Sequence, residues 1–73
     1  MPMGQWVYTD SDAIDGFHYD EAAHTLRVRF TSGGVYDYFD TPPRLYQRLI
    51  AAPSKGNFFT RHIRDKLAFR KVH

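Results

Sequence analysis

The sequence predicts an α+β domain, a three-stranded antiparallel β-meander followed by two short helices packed on one face. Three observations lead there. Residues 25–31 (TLRVRFT) alternate strictly, with Leu26, Val28 and Phe30 on one side and Thr25, Arg27, Arg29 and Thr31 on the other, the period of a half-buried strand. Ser32-Gly33-Gly34 separates that run from a second short one, VYDYF at 35–39. Beyond Pro42 the apolar spacing lengthens to that of a helix, in Leu45, Tyr46, Leu49 and Ile50 and again in Phe59, Ile63 and Leu67.

Taken in order, residues 1–12 hold Trp6, Val7 and Tyr8 among polar, Gly and Pro residues, which suits a short first strand or an arm laid on the core. Trp6 is read as a packing anchor. The meander occupies 13–39. In its first strand Ile14, Phe17 and Tyr19 share a face only if a bulge falls near Gly16. DEAAH is a turn. For the next hairpin, a two-residue Gly33-Gly34 loop would set Phe30 opposite Asp37 and put a carboxylate on the core face. A three-residue loop, Ser32 to Gly34, pairs Phe30 with Tyr36, Arg29 with Asp37 and Val28 with Tyr38. It is preferred because apolar then meets aromatic and cation meets anion.

Two helices are expected across 43–69. Asp40-Thr41-Pro42-Pro43 begins the first, with Asp40 or Thr41 capping and proline in the first turn, and Pro53 ends it. Ser54 caps the second, where Phe59, Ile63 and Leu67 form the buried stripe with Phe58 beside it. Gly56 lies in its opening turn, leaving room for the preceding helix. Phe69 to His73 continue that helix or fray. Tyr36 and Tyr38 are read as core aromatics with hydroxyls at the rim.

At 73 residues the chain makes a single domain, 1–73. A domain of this size buries roughly 60% of its unfolded surface, so the core is thin and a deep catalytic pocket is not expected. Six Phe, five Tyr and one Trp fill that core economically. The absence of Cys excludes a disulfide framework, a thiolate metal site and a Cys nucleophile. No apolar run approaches the roughly 20 residues of a membrane span, and the first residues do not resemble a signal segment, so a cytoplasmic protein without membrane contact is expected. The net charge of +2 conceals an asymmetry. Residues 1–26 carry Asp10, Asp12, Asp15, Asp20 and Glu21 and no Lys or Arg, whereas all ten Lys and Arg lie in 27–73 against Asp37, Asp40 and Asp65. Such a division points to an anionic partner, or to two halves that neutralise each other within the fold.

Catalytic chemistry finds no foothold. His18, His24, His62 and His73 stand singly, without metal-ligand spacing. Asp10, Asp12 and Asp15 lack the Gly and the Glu of a calcium loop. Ser54 with His62 has no oxyanion-hole motif beside it, and Ser32-Gly33-Gly34 lacks the Lys of a phosphate loop. The expectation is a non-enzyme without cofactor or metal.

Two basic surfaces remain. One is the strand face with Arg27 and Arg29, near Asp37 and Phe39, where Arg29 either pairs with Asp37 or is free to bind. The other comprises Arg61, Arg64, Lys66, Arg70 and Lys71, opposite the apolar stripe of a basic C-terminal helix. Together they suggest a weak, salt-dependent RNA contact, to tRNA or another structured RNA. The alternative is a protein-interaction module that docks on a partner through the acidic N-terminal segment and exposed aromatics, an anionic protein surface being the other partner open to the cations. The position of Asp10–Glu21 relative to those cations discriminates between them.

Tyr36-Asp37-Tyr38 after Leu26-Arg27-Val28-Arg29-Phe30 and a Ser-Gly turn, followed by Ala52-Pro53-Ser54-Lys55-Gly56-Asn57-Phe58-Phe59 and Ile63-Arg64, resembles the KTSC domain family. The resemblance runs from about Ile14 to Leu67. That family takes its name from the C-terminal extension of some lysyl-tRNA synthetases and also occurs as small stand-alone bacterial proteins. It implies a non-catalytic accessory module, and the synthetase context implies RNA as its partner. The motif positions are Tyr36, Tyr38, Ser54, Gly56, Phe58, Phe59 and Ile63. Thr60 stands where Asn is frequent and Leu67 where an aromatic is frequent, which weakens transfer of a functional role to the second helix.

Overall fold

The structure, a computed structural model, describes residues 6–73, so residues 1–5 of the expected N-terminal arm lie outside the described part. The architecture is α+β, with an antiparallel sheet of five strands rather than three. They are β1 (Val7–Tyr8), β2 (Ile14–Asp20), β3 (Thr25–Phe30), β4 (Val35–Tyr38) and β5 (Phe69–Lys71), lying side by side in chain order. Helices α1 (Pro43–Ala51) and α2 (Lys55–His62) interrupt the meander between β4 and β5. They cover one face of the sheet. Ile14, Phe17, Leu26, Val28 and Tyr38 from the strands close on Leu49, Phe59 and Ile63 from the helical segment. Full burial of an aliphatic or Phe side chain stabilises by about 1.5–3 kcal/mol, so this small set carries most of the fold.

The expected bulge is present. The β2–β3 register slips between Ile14 and Gly16, which brings Ile14, Phe17 and Tyr19 to the helix side. The hairpin register differs from expectation. Leu26 faces Tyr38, Arg27 faces Asp37, Val28 faces Tyr36 and Arg29 faces Val35. The loop does have three residues, but they are Thr31-Ser32-Gly33: Phe30 N donates to Gly34 O at 2.8 Å and Gly33 N to Phe30 O at 2.9 Å. Gly33 has φ +101°, so the left-handed position falls there and not at Gly34. Each partner moves by two residues, an even number, so every side chain keeps its face. The ion pair does not survive the slip: Asp37 meets Arg27, which frees Arg29 for Asp15 on β2. Two cation–anion pairs form where the expected register offered one.

The start of α1 is also a correction. Its N-cap is Pro42, with no side-chain cap and Pro43 in the first turn. Thr41 is fully buried and its hydroxyl instead donates to Tyr38 O at 3.1 Å, while Asp40 takes φ +55° to turn the chain out of β4. Ser54 caps α2 as expected, its hydroxyl accepting from Asn57 N at 3.4 Å. Gly56 does admit a close neighbour, but that neighbour is not α1. A Cβ there would meet Ser11 Oγ at 3.0 Å, so the glycine seats the β1–β2 loop against α2.

The second helix stops at His62, not near 69. Ile63 N and Arg64 N both donate to Phe59 O, and Lys66 N and Leu67 N turn back onto Ile63 O. Ile63 still reaches the core and Leu67 packs beside it, so the apolar stripe is real although the helix beneath it is short. After the turn the chain becomes β5, pairing Tyr36 with Lys71, Asp37 with Arg70 and Tyr38 with Phe69. The physical reason is the edge of β4, whose unpaired backbone groups require partners. Phe39 N donates to Ala68 O at 2.9 Å and Val72 N to Val35 O at 2.7 Å, satisfying that edge.

Candidate nucleic-acid interface

The sheet face away from the helices carries the first basic group, and there the arginines are engaged. Arg27 grips Asp37 with both ends of its fork, Nε to Oδ1 at 2.7 Å and Nη2 to Oδ2 at 3.0 Å. The Asp37 carboxylate is nearly buried, and its hydrogen bond raises the Arg27 pKa above the ordinary guanidinium value, with burial opposing and the charge of Asp37 assisting. Arg29 Nε donates to Asp15 Oδ2 at 2.9 Å, and its guanidinium lies 4.8 Å from the Trp6 ring centre. Trp6 in turn leans on His18, with ring centres 5.4 Å apart. Trp6 is therefore a packing anchor, but on the open face. Phe39 is half-buried beside Arg27, Asp37 and His18 in a shallow cavity of about 270 Å³.

The second basic group is not a helix face. Arg61 lies on α2, Arg64 and Lys66 on the turn that follows, and Arg70 and Lys71 on β5. All five are exposed, and the ion pairs among the described residues, Arg27–Asp37 and Arg29–Asp15, involve none of them. Strand alternation divides the last two. Arg70 sits opposite Asp37 on the open face, whereas Lys71 sits opposite Tyr36 on the helix side, the same side as Phe69. The acidic half is divided relative to this group: Asp10 shares a cavity with Gly56 and Thr60 of α2, next to Arg61, and the Asp12 carbonyl accepts from Thr31 Oγ1 at 2.9 Å, whereas Asp20 ends β2 on the far side of the sheet from β5. β2 is separated from β5 by β3 and β4, and the β1–β2 loop, with Asp10 and Asp12, meets α2 near Gly56.

Between these cations and the core lies a trough of about 590 Å³ lined by Phe30, Tyr36, Tyr38, Phe69, Arg64 and Asp65, with Ala13, Thr31 and Ser32 at its loop end. Phe69 is 55% exposed, with its ring centre 5.4 Å from Tyr38 and 5.8 Å from Tyr36. Tyr38 is only 3% exposed. Burial raises its phenol pKa, with Arg64 opposing and Tyr36 and Asp65 assisting. No such group was visible in the sequence, because Phe69 was assigned to a helix end and Arg64 to a solvated stripe.

Most of the family motif residues pack or cap the fold. Tyr38, Phe59 and Ile63 are core, with Tyr36 packed against them, Ser54 is a cap, and Gly56 receives Ser11. Phe58 lies half-buried between Arg48, 5.6 Å from its ring centre, and His62, 4.5 Å ring to ring. Thr60 donates to Gly56 O at 3.0 Å within α2, a local bond that needs no Asn. Among the described residues no group of three His, Asp or Glu side chains could hold a metal, and no helix is long and apolar enough to cross a membrane.

The KTSC domain family matches residues 10–67. A lysine–tRNA ligase from Nostoc punctiforme is 38% identical over 63 residues, covering 86% of this chain and 11% of the ligase. A protein from Tsukamurella paurometabola is also 38% identical over 63 residues, and there the match covers 91% of the relative. The crystal structure of a KTSC domain protein from Yersinia pestis superposes with a TM-score of 0.87 at 33% identity, covering 94% of this chain and 97% of that one.

Proposed function

The chain belongs to the KTSC domain family, and from that premise we propose that it is a non-catalytic module that binds RNA weakly through the exposed cations that follow residue 60. The observation that carries this reading is the contrast in pairing. Arg27 and Arg29 are held by Asp37 and Asp15, while Arg61, Arg64, Lys66, Arg70 and Lys71 stay outside those pairs, with Arg64 lining the same trough as the exposed Phe69. Phosphates attract such cations without demanding a deep site, and release of counterions makes the affinity fall steeply with salt. The likeness to the C-terminal part of a lysine–tRNA ligase supports RNA as the partner class.

The test is a titration of mixed tRNA into isotope-labelled protein at low and moderate salt, following amide shifts. Shifts are expected at 61–71, weakening with salt, and little change at Arg27 and Arg29. Arg64→Glu with Lys71→Glu should weaken binding more than tenfold, because each reversal replaces attraction to a phosphate by repulsion. The melting temperature should hardly move, since both side chains are exposed. Absence of salt-sensitive shifts across 61–71 would end this reading.

A second reading, docking on a protein, is favoured by Tyr8, which is 62% exposed on the edge strand β1 beside the acidic 10–12 loop. It predicts that a partner protein perturbs residues 6–12 and leaves 61–71 unmoved.

A further inference from the structure

We infer that the trough between the β3–β4 loop, the 63–66 turn and Phe69 takes one unstacked base of single-stranded RNA, with Arg64 on the adjoining phosphate. This rests on the RNA reading above and narrows it to unpaired strands. The trough's volume, about 590 Å³, falls in the roughly 300–1,000 Å³ range of small-ligand sites. Its walls are aromatic: Phe30, Tyr36, Tyr38 and Phe69. Phe30 meets Tyr36 edge-on at 5.5 Å, and Tyr36 and Tyr38 both lie against Phe69. Phe69 is the outermost of these rings, and an exposed ring is a stacking platform that accepts any base.

The polar groups are arranged for a base edge. Tyr19 spends its hydroxyl on Thr41 O at 2.6 Å, whereas the Tyr38 hydroxyl makes no hydrogen bond to a described residue and, since no buried side-chain oxygen among them lacks a partner, it opens on the trough that Tyr38 lines. Asp65 can accept from an exocyclic amine, and the Tyr38 hydroxyl can donate to or accept from a ring nitrogen or carbonyl. Arg64 brings positive charge to the same trough, and Lys71 shares the face of Phe69. A base stacked in a duplex cannot enter such a recess; an unpaired one can.

The test compares three fluorescent probes by anisotropy at one salt concentration: a mixed-sequence single-stranded hexaribonucleotide, a short RNA duplex, and heparin as a polyanion without bases. Phe69→Ala should weaken the hexanucleotide about tenfold, within the range measured for removing one stacking ring, and change heparin and duplex less than about twofold. Phe69→Leu, which keeps the apolar bulk on β5 but has no ring face, should show the same selective loss and covers the case in which the alanine variant does not fold. Tyr38→Phe should lower hexanucleotide affinity by about threefold and spare heparin, as expected for one lost hydrogen bond. Equal weakening of all three probes by the Phe69 variants, or none, overturns the base site while leaving the electrostatic reading in place. Failure of the unaltered protein to bind any RNA overturns both.

Discussion

The open sheet face and the C-terminal trough both display arginine beside aromatic rings, yet their charges are in opposite states. On the sheet face, Arg27 and Arg29 sit where cross-strand neighbours supply carboxylates, and both guanidinium groups are held within 3.0 Å of one. At the trough, the chain leaves α2 through a turn and returns as an edge strand, and Asp65 is the sole acid between Arg61 and His73. The difference shows that a count of cations says little about a binding field. What matters is whether the sheet register delivers an anion to each of them. Arginines at the centre of a meander meet partners from both sides; on its last edge Arg70 has one neighbouring strand, and the carboxylate opposite it, Asp37, is held by Arg27.

The largest effect is expected at Arg27→Ala, which strands the nearly buried Asp37 carboxylate and should cost about 2–4 kcal/mol in urea unfolding. Loss below about 1 kcal/mol would mean that Asp37 finds another cation, with Arg70 directly opposite as the candidate. Asp37→Ala should be milder, about 1 kcal/mol, because the Arg27 side chain is 42% exposed and can turn to water.

Alkaline pH should weaken the fold next. Burial raises the phenol pKa values of Tyr19, Tyr38 and Tyr46 above 10.0, so the folded protein keeps protons that the unfolded chain gives up. Stability is therefore full below about pH 10 and falls as pH climbs through the folded values. Melting temperatures at about pH 9 and pH 11 should differ, and Tyr38→Phe should reduce the difference. Since Arg64 pulls the Tyr38 phenol down, Arg64→Gln should delay its ultraviolet titration. That shift would confirm that the guanidinium faces the trough.

The smallest effect is expected at Arg29→Ala. Arg29 and Asp15 are 38% and 46% exposed, and a surface pair with one ring contact contributes about 0.5 kcal/mol. A cost equal to that of Arg27→Ala would show that the two pairs on this face are equivalent and that burial of Asp37 does not distinguish them.

Much of the fold was legible because it rests on local periodicity. The alternation of Leu26, Val28 and Phe30, the bulge at Gly16 and the Ser54 cap can each be read within a few residues of chain. The hairpin register was legible only to the face. Both three-residue loops conserve side-chain parity, and the choice between them depended on where Gly33 could turn left-handed and on Asp15, which arrives from another strand. The trough was hidden for a related reason. Residues 63–71 contain no Gly or Pro to stop a helix, and all three residues of β5 are exposed, so no alternation marks the strand.

What the sequence determined by itself was the class of the domain, the identity of its core residues and an unequal charge layout, since each follows from residue type and from spacing along one stretch of chain. Tertiary structure alone decided which cations are neutralised, where the last helix ends and that a fifth strand closes the sheet. Those outcomes depend on carboxylates and backbone groups that meet across the fold: Asp15 with Arg29, Asp37 with Arg27, and the edge of β4 with β5. The unmet hydrogen bonds of β4 call the chain out of its helix, and in answering them the chain lays Phe69 beside Tyr36 and Tyr38.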